Sequence, residues 1–345
     1  MKYIKYSIAV LLISFGLLFL SYKAYRAGYK RFYAFEHQRL EELINGNKYH
    51  DVLYLGSSRS YFHINPRAVD SITGLKSFNG GIQGGNILES HLILQCYLAS
   101  HQAPKLVVLD VATPSLNINT APGFRPIFNP NRYYPFLDNP YVFNALKPYK
   151  NVYMLKYLPF TQITEADDVL KQATLMGNLG KQSFGAEIKT YEGYREWSND
   201  TIKFPFKKAF DVTNFAIEEE GVKLLRQTIE LCKSKGIKVV LTYAPVYQLQ
   251  DETVNPEFFP TLHKIAAEYN IPFWNYRTSK IGSYHKLFQD EMHLNNRGSL
   301  IYSLMLGHDI RNYVQGLAKQ GDYDSSLLSL FDVYDNPHKE VLTKL

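Results

Sequence analysis

Three short stretches of this sequence carry side chains that could do chemistry together. Leu53-Tyr54-Leu55-Gly56-Ser57-Ser58-Arg59-Ser60 runs from an aliphatic strand into a small-residue turn. Such a turn offers a hydroxyl at the carboxyl edge of a sheet, and glycine permits it to be tight. If a helix starts there, Ser58 lies beside free backbone N–H groups that can receive an oxyanion. Asn79-Gly80-Gly81-Ile82-Gln83-Gly84-Gly85-Asn86 supplies bare backbone that a ligand can approach. Asp290-Glu291-Met292-His293 places a carboxylate three residues before an imidazole. In a compact turn Asp290 would hold one ring nitrogen of His293 while the other activates a serine. Alone, each stretch has a plainer reading as a helix cap, a loop or a surface turn. Their order along one α/β pattern joins them into a candidate nucleophile, oxyanion site and base.

The elements needed to position them are legible as an alternation of short aliphatic runs and amphipathic helices from about residue 50. Strands are expected at Val52–Leu55, Leu75–Phe78, Leu106–Val111, Ile237–Tyr243 and Ile271–Trp274. Helices are expected at Asn86–Ser100 and Glu218–Lys235, the latter on the spacing of Val222, Leu225, Ile229 and Cys232. Residues 115–215 break the rhythm. Seven of the 16 prolines fall between Pro122 and Pro159 among many aromatics, which reads as an insertion, either a lid or a packed excursion. Domain boundaries are expected at 1–31 for an anchor, 32–49 for a linker or helix, 50–318 for the main domain and 319–345 for an extension.

Six of the 38 Lys and Arg lie within residues 1–31 without an acid, leaving 32 basic against 32 acidic side chains elsewhere. The body is neutral, so the net +6 is no footprint for nucleic acid. Between Lys5 and Lys23, residues 6–22 are uncharged and would span about 26 Å as a helix, close to the bilayer's hydrocarbon thickness. The run lacks a small-residue cleavage site, so an uncleaved single-pass membrane anchor is expected in preference to a signal peptide or a core helix. Cys96 and Cys232 lie in apolar stretches and read as buried thiols. No zinc motif, P-loop or dinucleotide fingerprint occurs, and neither metal nor cofactor is expected.

The three stretches resemble the sequence blocks of the SGNH or GDSL-like hydrolases. On that resemblance Ser58 stands at the nucleophile position, with Ser57 where that family has Asp. Asn79 to Gly84 stands for the glycine block, with Gly84 as oxyanion donor alongside the Ser58 N–H, and Asp290 and His293 complete a triad. The G-x-N-D block has no counterpart. After Leu106–Val111 the chain reads Ala112-Thr113-Pro114-Ser115-Leu116-Asn117, so either Asn117 or Asn119 would substitute as the asparagine donor or the hole would rely on the backbone of Ser58 and Gly84 alone. The resemblance implies a three-layer α/β/α, flavodoxin-like parallel sheet. It also implies a serine esterase or O-acyltransferase of the bacterial inner membrane, its catalytic domain extracytoplasmic. The substrate would be an acylated glycan of the cell envelope or a small acyl ester, and envelope proteins would be possible partners. A catalytically inactive scaffold on the same fold is the alternative. Arg59 would orient an anionic substrate group or form a structural ion pair, and Asn86 would line the substrate site.

Overall fold

The computed structural model describes residues 2–118, 129–183, 189–198, 200–201, 216–247 and 255–316. Asn119 and the segment 319–345, singled out above, lie outside these. In chain order the elements open with α1 (Lys2–Phe32), α2 (Ala34–Asn45), β1 (Val52–Leu55), α3 (Ser58–His63), α4 (Pro66–Thr73), β2 (Ser77–Asn79), α5 (Ile87–Ser100) and β3 (Leu106–Asp110). Four short helices follow, α6 (Pro140–Leu146), α7 (Val152–Tyr157), α8 (Thr161–Thr164) and α9 (Asp168–Asn178), and then a hairpin of β4 (Thr190–Tyr191) and β5 (Tyr194–Arg195). The last elements are α10 (Glu219–Ser234), β6 (Lys238–Tyr243), α11 (Phe258–Tyr269), β7 (Phe273–Asn275) and α12 (Asn296–Val314).

The chain divides into two compact units. One comprises residues 1–46, 95–100 and 129–187, and contains α1, α2 and α6 to α9. The other comprises residues 47–94, 101–128 and 188–345, and contains every strand among the described residues.

The second unit is α/β. Its five-stranded sheet is parallel throughout, in the order β2-β1-β3-β6-β7. Renumbered within the sheet this is 2-1-3-4-5, the flavodoxin-like order, whose direction reverses between β1 and β3; ligands bind outside the strand ends at such a reversal. β1 and β3 are buried along their whole length, so both strands are apolar without alternation. Val52, Tyr54, Leu106, Val108 and Val240 pack with Val69 of α4 and with Ile301, Leu306 and Ile310 of α12. β1 has the expected bounds, whereas β2 and β7 lie one or two residues later than the aliphatic runs indicate. Register explains the shift, since Val52 pairs with Ser77 and Leu241 with Phe273.

In the first unit α1 runs unbroken from Lys2 to Phe32, well past the apolar run. Tyr3–Phe32 has a mean hydropathy of 2.0 in its most apolar stretch, long and apolar enough to cross a membrane. Residues 129–183 of the proline-rich segment form short turns and helices, as the proline density requires. Cys96 in one unit and Cys232 in the other are buried thiols, and burial pushes each up to about 12.

Candidate active site

Ser58 reaches its position because β1 ends in a residue only glycine suits. Gly56 has φ of +144°, and a Cβ there would press on the Asp110 carbonyl oxygen at 2.7 Å. Ser57 then caps α3, its hydroxyl accepting from the Arg59 N–H at 3.5 Å. Ser58 is the first residue of α3, and between Asp51 and Ile64 it alone is not buried. The glycine turn is tied to the same place. The Ile82 N–H donates to the Gly56 carbonyl at 2.8 Å, and Asn79 Nδ2 donates to the Ser60 and Ile64 carbonyls. Among the described residues, the backbone N–H groups of Ser58 and Gly84 donate to no protein acceptor.

The third stretch arrives from the far end of the chain. Asp290 Oδ1 accepts from the Met292 and His293 N–H groups at 2.9 and 2.8 Å, folding Asp290–His293 into the compact turn that the spacing predicts. The carboxylate also lies 2.9 and 3.0 Å from His293 Nδ1, and His293 Nε2 lies 2.8 Å from Ser58 Oγ. An ionised carboxylate can only accept, so the Nδ1 proton faces Asp290 and Nε2 is free to accept from the serine hydroxyl. Burial raises the Asp290 carboxyl, but the His293 ring and the two backbone donors outweigh it and hold the group below the ordinary carboxylate range. The Asp290 carboxyl thereby favours its anionic form beside the His293 ring.

The other sequence candidates occupy different places. Arg59 is 1% exposed; its Nε lies 3.6 Å from Asp110 Oδ2 and its guanidinium 4.1 Å above the Tyr243 ring. This is the ion-pair reading of Arg59. Burial pushes the Asp110 carboxyl up, against the pull of Arg59 and of the Ala244 N–H. Asn86 is buried, and its carboxamide oxygen accepts from the Leu88 and Glu89 N–H groups at the start of α5, a capping arrangement. Asn117 is buried at the end of the turn Thr113–Leu116.

Three side chains beside Ser58, His293 and Asp290 escaped the sequence reading in these roles. His63, at the other end of α3 from Ser58, is fully buried, and its Nε2 accepts the Leu294 N–H at 3.0 Å. Burial first, then the neighbouring His293 and Arg59, keep its pKa well below the usual imidazole value. Phe62 and Trp197 stack with centroids 4.3 Å apart, and the Trp197 ring stands edge-on to His293 at 5.1 Å. Trp197 belongs to the stretch after β5, which the N-terminus of α12 holds in place. The Trp197 N–H donates to Asn296 Oδ1, and the Asn296 N–H donates to the Ser198 carbonyl. Spacing could have flagged His63, which follows Ser58 on the same helix; nothing local marks Trp197.

No protein-family model and no curated protein matches the sequence. Solved structures resemble the chain at low identity. A GDSL-like lipase from Bacteroides thetaiotaomicron is 15% identical, with 84% of this chain and 98% of that one covered and a TM-score of 0.36. A catalytic mutant of an acetylxylan esterase from Geobacillus stearothermophilus is 12% identical, with 74% and 92% covered and a TM-score of 0.37.

Proposed function

We propose that this protein is a membrane-anchored serine esterase or O-acyltransferase that acts on acyl groups of a cell-envelope polysaccharide or a similar polymer. The observation that carries this reading is the unbroken relay from Ser58 Oγ through His293 to Asp290. Ser58 attacks the ester carbonyl as Nε2 of His293 takes its proton, and Asp290 stabilises the imidazolium that forms. The free N–H groups of Ser58 and Gly84 receive the negative charge on the carbonyl oxygen. The imidazolium then returns its proton to the leaving alkoxide, and a water or an acceptor hydroxyl releases the acyl group from Ser58 by the same steps in reverse. The stacked pair of Phe62 and Trp197 gives this centre an apolar wall. Support for the anchor comes from α1, whose first two-thirds present apolar side chains to the outside while Tyr25 and Tyr29 are built into the core of the first unit.

The test is turnover of an aryl acetate by the full chain. Wild type is expected to hydrolyse it, to take up a serine-directed phosphonate at Ser58, and to lose both with Ser58→Ala. Well-folded wild type that neither turns over nor is labelled would leave the scaffold reading. Mass measurement of the mature N-terminus tests whether residues 6–22 are retained.

A further inference from the structure

In the first unit, residues 160–183 climb α1 in the direction of its own chain. Phe160 meets Phe15, with ring centroids 5.8 Å apart and nearly perpendicular. Higher up, Ala166 and Leu170 pack with Tyr25 and Tyr29. Then α9 and α1 meet through glycine. A Cβ on Gly28 would collide with the Thr174 carbonyl, and one on Gly177 with the Gly28 carbonyl. At the top the Ser183 N–H donates to the Phe32 carbonyl at 2.8 Å. The lower end of this ladder is therefore not at the end of the apolar run but inside it. Phe15 precedes Lys23 by eight residues, about 12 Å along the helix axis, against a hydrocarbon half-thickness of about 15 Å.

The residues just before Phe160 have the surface that such a depth demands. Val152 and Leu155 of α7 face inward, while Tyr149, Tyr153, Met154, Tyr157 and Leu158 are 40–68% exposed. Residues 139–164 contain Lys147, Lys150 and Lys156 and no acid. Lys150 and Lys156 pair with Glu165 and Asp138 at the margins of this stretch. Tyrosines interleaved with lysines are the composition favoured at the level of lipid headgroups, and a solvated face would not gather five large apolar side chains beside a spanning helix. We propose that α7 and the turn into α8 form a second membrane contact on the Lys23 side of the bilayer that α1 crosses, its lysines reaching up to the headgroup layer and its exposed apolar side chains reaching into the hydrocarbon toward the level of Phe15. The first unit is thus held to the membrane by a crossing helix and a wedge beside it, which together fix its tilt as one helix alone cannot.

This inference rests on α1 being a membrane span, and the experiment separates the two. Full-length protein carrying Tyr157→Cys, Met154→Cys, Leu12→Cys or Asp168→Cys is spin-labelled and reconstituted into vesicles of phosphatidylethanolamine and phosphatidylglycerol; the buried native thiols leave wild type unlabelled. Collision with oxygen, which partitions into lipid, is compared with collision with a water-soluble nickel chelate. Labels at 157 and 154 are expected to give an oxygen-to-nickel ratio several-fold above that at 168 and below that at 12. A lipid-buried label at 12 with aqueous labels at 154 and 157 overturns the wedge alone. Aqueous labels at all positions overturn the anchor as well. Labels at 154 and 157 shielded from both reagents indicate a protein partner or a second copy and also overturn the wedge.

Discussion

The two halves of the candidate catalytic centre are held by different forces. The nucleophile half, from β1 through α3, is buried from Asp51 to Ile64 except at Ser58, and packing against the sheet core fixes it. The base half, Gln289–His293, is only partly buried, and donors to one carboxylate fix its shape. The difference teaches that stability and catalysis should separate by region. Damage to the first half should unfold the protein, while damage to the second should leave a folded protein that turns over slowly. They are joined by the hydrogen bond between Ser58 and His293, by that from the Leu294 N–H, next after the base half, to His63, and by the edge-on contacts of the Phe62 and His63 rings with His293.

The largest effect expected from the base half is that of Asp290→Asn, which keeps the size of the side chain but allows the wrong imidazole tautomer. A fall in kcat on the order of 10⁴ is expected with a nearly unchanged melting temperature. Equal losses of activity and stability would erase the contrast. For the core-held half the matching change is Arg59→Met, which strands Asp110 in the interior. A loss of about 3–5 kcal/mol is expected in urea unfolding, with most of it regained in Arg59→Met/Asp110→Leu. A double variant as unstable as the single one would show that the pair does more than neutralise itself.

His63 sits on the join, so its variants sharpen the comparison. Gln at 63 can place an acceptor where Nε2 lies, whereas Asn falls short of the Leu294 N–H. His63→Gln is expected to keep kcat within about threefold while His63→Asn loses about 10–100-fold with KM little changed, the cost of a misplaced base. The same residue has a pH signature. Its pKa is depressed in the folded state, so its contribution to stability is present above the unfolded value of about 6.5 and is lost as pH falls from there toward the lowered folded value. His63→Gln should flatten that decline in a series of denaturant melts. An unaltered decline would mean that His63 is protonated in the native state.

The sequence reading reached what local chemistry determines. The Gly56-Ser57-Ser58 turn and the Asp290–His293 spacing each encode their own geometry, because the partners lie within a few residues of each other. The five strands were legible as aliphatic runs for the same reason, with ends misjudged where pairing, as of Val52 with Ser77, decides the boundary. Arg59 shows the limit. Its partners Asp110 and Tyr243 lie far along the chain, and from residues 56–60 alone a substrate-facing arginine and a buried ion pair look alike. Trp197 was hidden for a related reason. It is brought to His293 by hydrogen bonds from a segment whose prolines and aromatics carry no periodicity to read.

The smallest effect comes from two carboxyls whose shifts have opposite signs, Asp70 on α4, just beyond the core-held half, and Asp290 in the base half. Asp70 on α4 receives donors from Ser77 and Tyr191, yet burial dominates and raises it to about 6. The folded protein thus holds that proton more tightly than the unfolded chain. Its contribution to stability is complete below the unfolded value of about 3.8 and is lost as pH rises through about 6. Asp290 runs the other way, contributing above the unfolded value and losing that contribution only as pH falls through its own lowered one. Because Asp70 is only partly buried, solvent screening leaves its share on the order of 1 kcal/mol, or about 2–4 °C in a melt. The melting temperature of wild type relative to Asp70→Asn should therefore fall between pH 4 and pH 7, while that relative to Asp290→Asn stays level until pH drops below 4. If both differences move in the same direction over that range, the base half is held by burial like the rest, and the contrast between packing and polar fixation is lost.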